Sequence, residues 1–206
     1  MKKILLLLMI ISFVFAGCSN EITSTEKSDA VLKPIQQSED HMNLIGSLGL
    51  DTLLMYDVEI KDEDLKMIHY WVEHYKSGKK QDDLVRAATT LNKEDVTFAF
   101  SKINLSINET DTYERWNLSV SDGTSLSSAE SLPIKTFPEE IGEAKSWISE
   151  KTKITAEKPV AVSLIIKDGS NGIGVGLDDE VIERTIEQSE EVYIVKVMVS
   201  KSEDFE

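Results

Sequence analysis

In Met55-Tyr56-Asp57-Val58-Glu59-Ile60, the residues Tyr56, Val58 and Ile60 share one parity and Met55, Asp57 and Glu59 the other. An apolar face that recurs every second residue marks a half-buried strand rather than a helix. Ile68, Tyr70 and Val72 repeat the pattern against His69, Trp71 and Glu73, and Tyr75-Lys76-Ser77-Gly78-Lys79 supplies a glycine turn into a third strand near 84–91. Val96, Phe98 and Phe100 share a face, but Ile103, Leu105 and Ile107 have the opposite parity, which predicts a bulge or turn near Ser101 and Lys102. Trp116, Leu118 and Val120 alternate up to the turn Ser121-Asp122-Gly123-Thr124. Val160, Val162, Leu164 and Ile166 fall on one face of a dense apolar strand that ends in Asp168-Gly169-Ser170-Asn171-Gly172, and Tyr193, Val195, Val197 and Val199 alternate as a final strand.

Helical spacing is scarcer. Pro138 followed by Glu139 and Glu140, with Ile141, Ala144 and Ile148, predicts a short helix within 138–151, and 178–188 reads as a helical turn or two. Many short strands separated by turn chemistry predict a mainly β chain: an antiparallel β-sandwich-like single domain with one or two short helices, spanning 51–206.

Toward the N-terminus the pattern changes. Lys2 and Lys3 precede an apolar run from Ile4 to Ile11, continued by Phe13, Val14 and Phe15 and closed by Ala16 and Gly17. About 12 apolar residues are too few for a bilayer span of roughly 20, so residues 1–17 read as an export signal. The single cysteine of the chain, Cys18, follows at once. Phe15-Ala16-Gly17-Cys18 resembles the lipobox of bacterial lipoproteins, with Phe15 where that family usually carries an aliphatic residue. The resemblance, confined to residues 1–18, implies lipidation of Cys18 by a diacylglyceryl group, cleavage before it, palmitate-type acyl chains in the membrane and a cell-membrane location on the extracytoplasmic face. Two acyl chains anchor stably where one is marginal. Residues 18–50 are polar and weakly patterned, which predicts a flexible tether carrying the lipid-anchored cysteine, with a short ordered piece near 42–50. No second cysteine exists, so no internal disulfide is expected and stability must come from the core.

Charge sets the partners. Twenty-two Lys and Arg stand against 37 Asp and Glu, a net charge of −15, and two of the lysines lie in the signal segment. A surface this acidic repels phosphate backbones, so nucleic acid is not an expected partner. The three histidines are His41, His69 and His74; the spacing of the last two sets them on opposite faces of a strand, and no metal site or other cofactor is expected. Ser24 and Lys27 have Ser-x-x-Lys spacing in the tether, and the glycines 172, 174 and 176 lack the frame of a phosphate loop. Pairs such as Asp82-Asp83, Glu139-Glu140 and Asp178-Asp179 follow from the acidity. Tyr70, Trp71, Tyr75 and Trp116 are the candidate binding aromatics, able to stack on a sugar or a partner or else to pack across strands. The functional expectation is a lipid-anchored, non-enzymatic module that binds an envelope protein or glycan. The alternative is an envelope-acting hydrolase whose acidic catalytic residues the sequence does not single out.

Overall fold

The computed structural model describes residues 28–92, 95–106, 111–136, 142–169 and 175–203. Two antiparallel sheets face one another across a shared apolar core. The first is built from β1 (Ala30–Pro34), β2 (Leu50–Ile60), β6 (Val96–Ser106), β7 (Thr112–Ser121), β8 (Leu126–Glu130), β9 (Ile134–Lys135) and β11 (Thr152–Ile154), in the order β11-β1-β2-β6-β7-β8 with β9 also on β7. The second holds β3 (Met67–Lys76), β4 (Lys79–Lys80), β5 (Val85–Thr90), β10 (Gly142–Trp147), β12 (Val160–Asp168) and β13 (Glu191–Ser200), in the order β10-β12-β13-β3-β4 with β5 also on β3. Helix α1 (Glu39–Ser47) lies against β2, and α2 (Asp179–Gln188) packs Ile182 and Ile186 on the outer side of the second sheet. The expected β-sandwich-like fold with two short helices is the observed one.

The period-two runs place the core as the sequence predicts. Tyr56 and Val58, Ile68, Tyr70 and Val72, Phe98 and Phe100, Trp116, Leu118 and Val120, and Tyr193, Val195, Val197 and Val199 all point into the space between the sheets. Between β3 and β4 only Ser77 and Gly78 remain, both with positive φ (48° and 77°), the backbone of a tight two-residue hairpin. Gly78 meets this demand without strain.

Four expectations need correction. The tether does not extend to residue 50: Ala30 and Leu32 are fully buried on β1, which pairs with β2 and β11, because an apolar residue at every second position suffices for a central strand even in polar surroundings. Residues 142–147 form strand β10 rather than a helix, in unbroken register with β12 from Gly142↔Asp168 to Trp147↔Ser163. Strand β6 runs straight through Ser101 and Lys102; the irregularity lies across from it, at Asp51 of β2, between the pairs Leu50↔Ile103 and Thr52↔Lys102. Finally, a register shift at Val162 splits the apolar run of β12. Val162 and Ile165 face the core, while Leu164 and Ile166 face outward to α2. Cys18, the pair Ser24 and Lys27, and Gly172 and Gly174 lie outside the described residues.

Candidate binding groove and the ion network behind it

Strand β1 accompanies only half of β2. Its last pair is Pro34↔Tyr56, so the stretch from Asp51 to Met55 has β6 on one side and no strand on the other. Residues 35–38 and α1 pass over this gap, and the open side of the sandwich becomes a groove of about 570 Å³ between β2 and the end of β10. Ile35, Met42, Leu54 and Ile148 form its apolar surface, and Trp147 stands at its rim, 47% exposed. A volume of this size suits a small ligand or one segment of a larger one.

Most polar side chains of the groove are already engaged, Gln36 and Ser149 being the exposed ones that also line it. Tyr56 donates its hydroxyl to the carbonyls of Ile148 and Val162, both at 3.3 Å, and burial pushes its phenol well above the usual range. Gln37 Nε2 points to Met55 Sδ at 3.2 Å. Lys145 Nζ reaches Asp51 at 2.6 Å, Glu143 at 2.8 Å and Thr52 Oγ1 at 3.0 Å. What the groove offers an occupant is therefore chiefly carbon and sulfur surface.

Asp51 and Lys145 are the outer members of an ion network that continues between the sheets. Lys102 Nζ, on a residue 1% exposed, sits 2.5 Å from Glu143, 2.9 Å from Asp51 and 3.6 Å from Glu114. Glu114 in turn accepts from Lys167 at 2.6 Å. Three lysines thus meet three carboxylates, with Asp51, Lys102 and Glu114 from the first sheet and Glu143, Lys145 and Lys167 from the second. A buried charge without a partner is costly, so complete pairing is what makes this placement tolerable. Lys167 Nζ also lies 5.3 Å from the ring centroid of Tyr193, which stacks on His74 at 4.8 Å and donates its hydroxyl to Glu191.

Asp51 and Glu143 are held as anions. Partial burial pushes Asp51 up, but hydrogen bonds from Lys145 and Lys102 outweigh it and leave the group at about 2. For Glu143 and Glu191 burial acts upward too, and Lys102 and His74 respectively bring the net shift below the usual carboxylate range. Burial would lower Lys102, yet Glu114 and Glu143 raise it. On the outer face of the second sheet Glu73, opposed by burial but hydrogen-bonded by Lys196, also falls to about 2. Groups depressed in the folded state contribute stability above their unfolded values of 3.8 and 4.5 and lose it as pH falls through the folded ones. Burial also holds the His69 imidazole below its ordinary value of 6.5, so unfolding free energy is expected to begin falling as pH drops below about 6.5 and to drop further between about pH 4 and 2, which a urea titration at stepped pH reads directly.

The four candidate aromatics do not form one platform. Tyr70 and Trp116 lie fully buried in the core, Tyr70 bonded to Ser127 Oγ at 2.9 Å and Trp116 packed on Phe100 and Tyr193. Their inward parity on β3 and β7 makes them packing residues, which corrects the binding assignment for these two. Trp71 and Tyr75 come together on the outer face of the second sheet, where both donate to Glu73 at 3.2 and 3.0 Å; Trp71 is buried beneath Arg86, 4.8 Å away, and Tyr75 is half-buried. The accessible tryptophan is Trp147, which lay inside a segment read as helical. His69 and His74 fall on opposite faces of β3 as expected, His69 on Ser200 Oγ at 3.0 Å and His74 against Tyr193. Among the described residues no cluster of His, Cys, Asp and Glu is arranged to hold a metal ion.

A family model, that of the YgaN domain, matches residues 31–199. The chain belongs to the YgaN domain family. The matched span begins within β1 and ends within β13, so the YgaN domain takes in both sheets, the groove and the ion network. It also takes in β1, which the composition had assigned to the tether. No curated protein and no solved structure matches the chain.

Proposed function

We propose that this YgaN domain is a non-enzymatic binding module, lipid-anchored through Cys18 on the extracytoplasmic face of the cell membrane, and that the groove beside β2 receives the apolar part of an envelope component. The observation that carries the reading is the groove itself: an apolar surface with an exposed tryptophan at its rim and with Tyr56, Lys145 and Asp51 already paired. Exposed aromatic anchors beside a pocket are the usual centre of a binding surface. The lipobox-like Phe15-Ala16-Gly17-Cys18 supports the anchor.

The hydrolase alternative draws less support. Acid-catalysed hydrolysis needs a carboxylic acid whose proton is retained near neutral pH. The carboxylates flanking the groove, Asp51 and Glu143, are shifted the other way by the lysines between them.

A photo-crosslinking amino acid placed at position 147 of the full-length protein in intact cells tests the proposal. A discrete adduct is expected from position 147 and not from position 126, where Leu126 is even more exposed at the far β7–β8 hairpin. Equal or absent adducts at the two positions contradict it.

A further inference from the structure

Several exposed apolar side chains belong to the groove and to the helix beside it, while Leu126 and Leu132 are exposed on and just after β8. Helix α1 buries none of its residues, and Leu44 and its C-cap residue Leu48 are 61% and 69% exposed. Met42 and Trp147, also exposed, both line the groove. In water this array is a standing cost, and such patches mark contact surfaces.

The chain's own layout indicates what covers it. About a dozen residues separate Cys18 from β1, and fully extended they reach at most ~40 Å. If Cys18 is acylated, the domain is confined to that distance from a bilayer, so a weakly apolar surface meets lipid at high effective concentration. The composition of α1 fixes the kind of contact. Its first turn carries Glu39 and Asp40, it has no Lys or Arg, and its last turn has no basic residue. Attraction to anionic headgroups is therefore not its mode of binding, which must come from burial of side chains in the interfacial region. Tryptophan is suited to that depth, with an apolar ring and one polar N–H. Among the described residues no helix is long and apolar enough to cross a membrane.

We infer that α1 and the groove rim form a second membrane contact: Leu44, Leu48, Met42 and Trp147 dock on the lipid surface, with hydrocarbon from the bilayer entering the groove. This rests on the anchored reading for its geometry, but its test does not need the anchor. Two contacts in series would hold the domain flat on the membrane, groove inward, instead of leaving it to swing on its leash.

The test uses the chain from Ser19 onward, which lacks both the signal and Cys18 but keeps every described residue. Vesicles of phosphatidylcholine are the probe, and a second set contains brominated phosphatidylcholine, which quenches tryptophan within the acyl region. Binding should blue-shift the emission and bromine should quench it, and both effects should vanish in Trp147→Phe, because Trp71 and Trp116 are buried and do not line the groove. Leu44→Glu with Leu48→Glu should weaken sedimentation with vesicles by about tenfold or more, since two exposed leucines lose their apolar contact. Replacing a third of the lipid with phosphatidylglycerol should not strengthen binding. Absence of vesicle binding, quenching that survives Trp147→Phe, or binding that appears only with phosphatidylglycerol overturns the inference. Any of these leaves the crosslinking test at position 147 free to identify a protein or glycan ligand instead.

Discussion

Lys102→Met is expected to destabilise the protein by about 3–5 kcal/mol, the range for removing one partner of a buried ion pair. In a protein of this size that corresponds to a fall in Tm of about 10 °C or more. Methionine fills much of the same volume, so the loss is electrostatic: the buried Glu114 and the more exposed Asp51 and Glu143 all lose Lys102 as a partner, while only Lys145 and Lys167 remain to pair them. Two further measurements separate this from a packing defect. Neutralising the stranded acids with Asp51→Asn and Glu143→Gln in the Lys102→Met background should recover stability, a coupling that a double-mutant cycle measures. The deficit should also shrink at pH 3, where Asp51 and Glu143, no longer held down by Lys102, take up protons more readily. A deficit that is independent of pH and not relieved by the two amides would mean that the network contributes nothing beyond shape.

Trp116→Ala is expected to cost about 3–5 kcal/mol, for a different reason. Trp116 is fully buried, with ring centroids of Phe100 and Tyr193 at 5.6 and 4.7 Å, and its removal opens a cavity that links the apolar core to the charged end of the sandwich. Its Nε1 has no hydrogen-bond partner among the described residues, so Trp116→Phe forfeits no such bond and should cost less than about half as much. At the groove rim Trp147→Ala should change stability by no more than about 0.5 kcal/mol, as for other exposed positions. Chemical denaturation of the three variants side by side measures the ordering. If Trp147→Ala proved as costly as Trp116→Ala, position 147 would be a packing residue and the groove a poor candidate for binding.

The strands were legible wherever one face was apolar without interruption, because a period of two needs only local sequence. Tyr56 to Ile60, Trp116 to Val120 and Tyr193 to Val199 are of this kind. The ion network was only half legible. Lys102 continues the inward parity of Val96, Phe98 and Phe100, and Glu114 that of Trp116, so charged residues in phase with an apolar face were the available signal. The apolar Ile103 and Leu105 masked it by favouring a parity slip. Lys167 gave no signal, since its inward orientation depends on the register shift at Val162, a property of the β12–β13 pairing. Trp147 was hidden for a related reason: β10 is an edge strand whose inward positions Glu143 and Lys145 are charged, so it shows no apolar alternation. Inward charges on an edge strand also discourage pairing with other chains. The groove itself follows from the unequal lengths of β1 and β2, which no single strand discloses.

Hydrogen exchange on the full-length protein in its native membranes, compared with the same protein released by proteolysis of the segment before β1, tests most directly whether the groove is a binding site in the cell. The account predicts slower exchange in the membrane-held form over residues 34–55 and 145–149, with no difference over the β7–β8 hairpin at 119–128. Identical exchange at the groove in the two forms, or protection that falls on the hairpin instead, would contradict it.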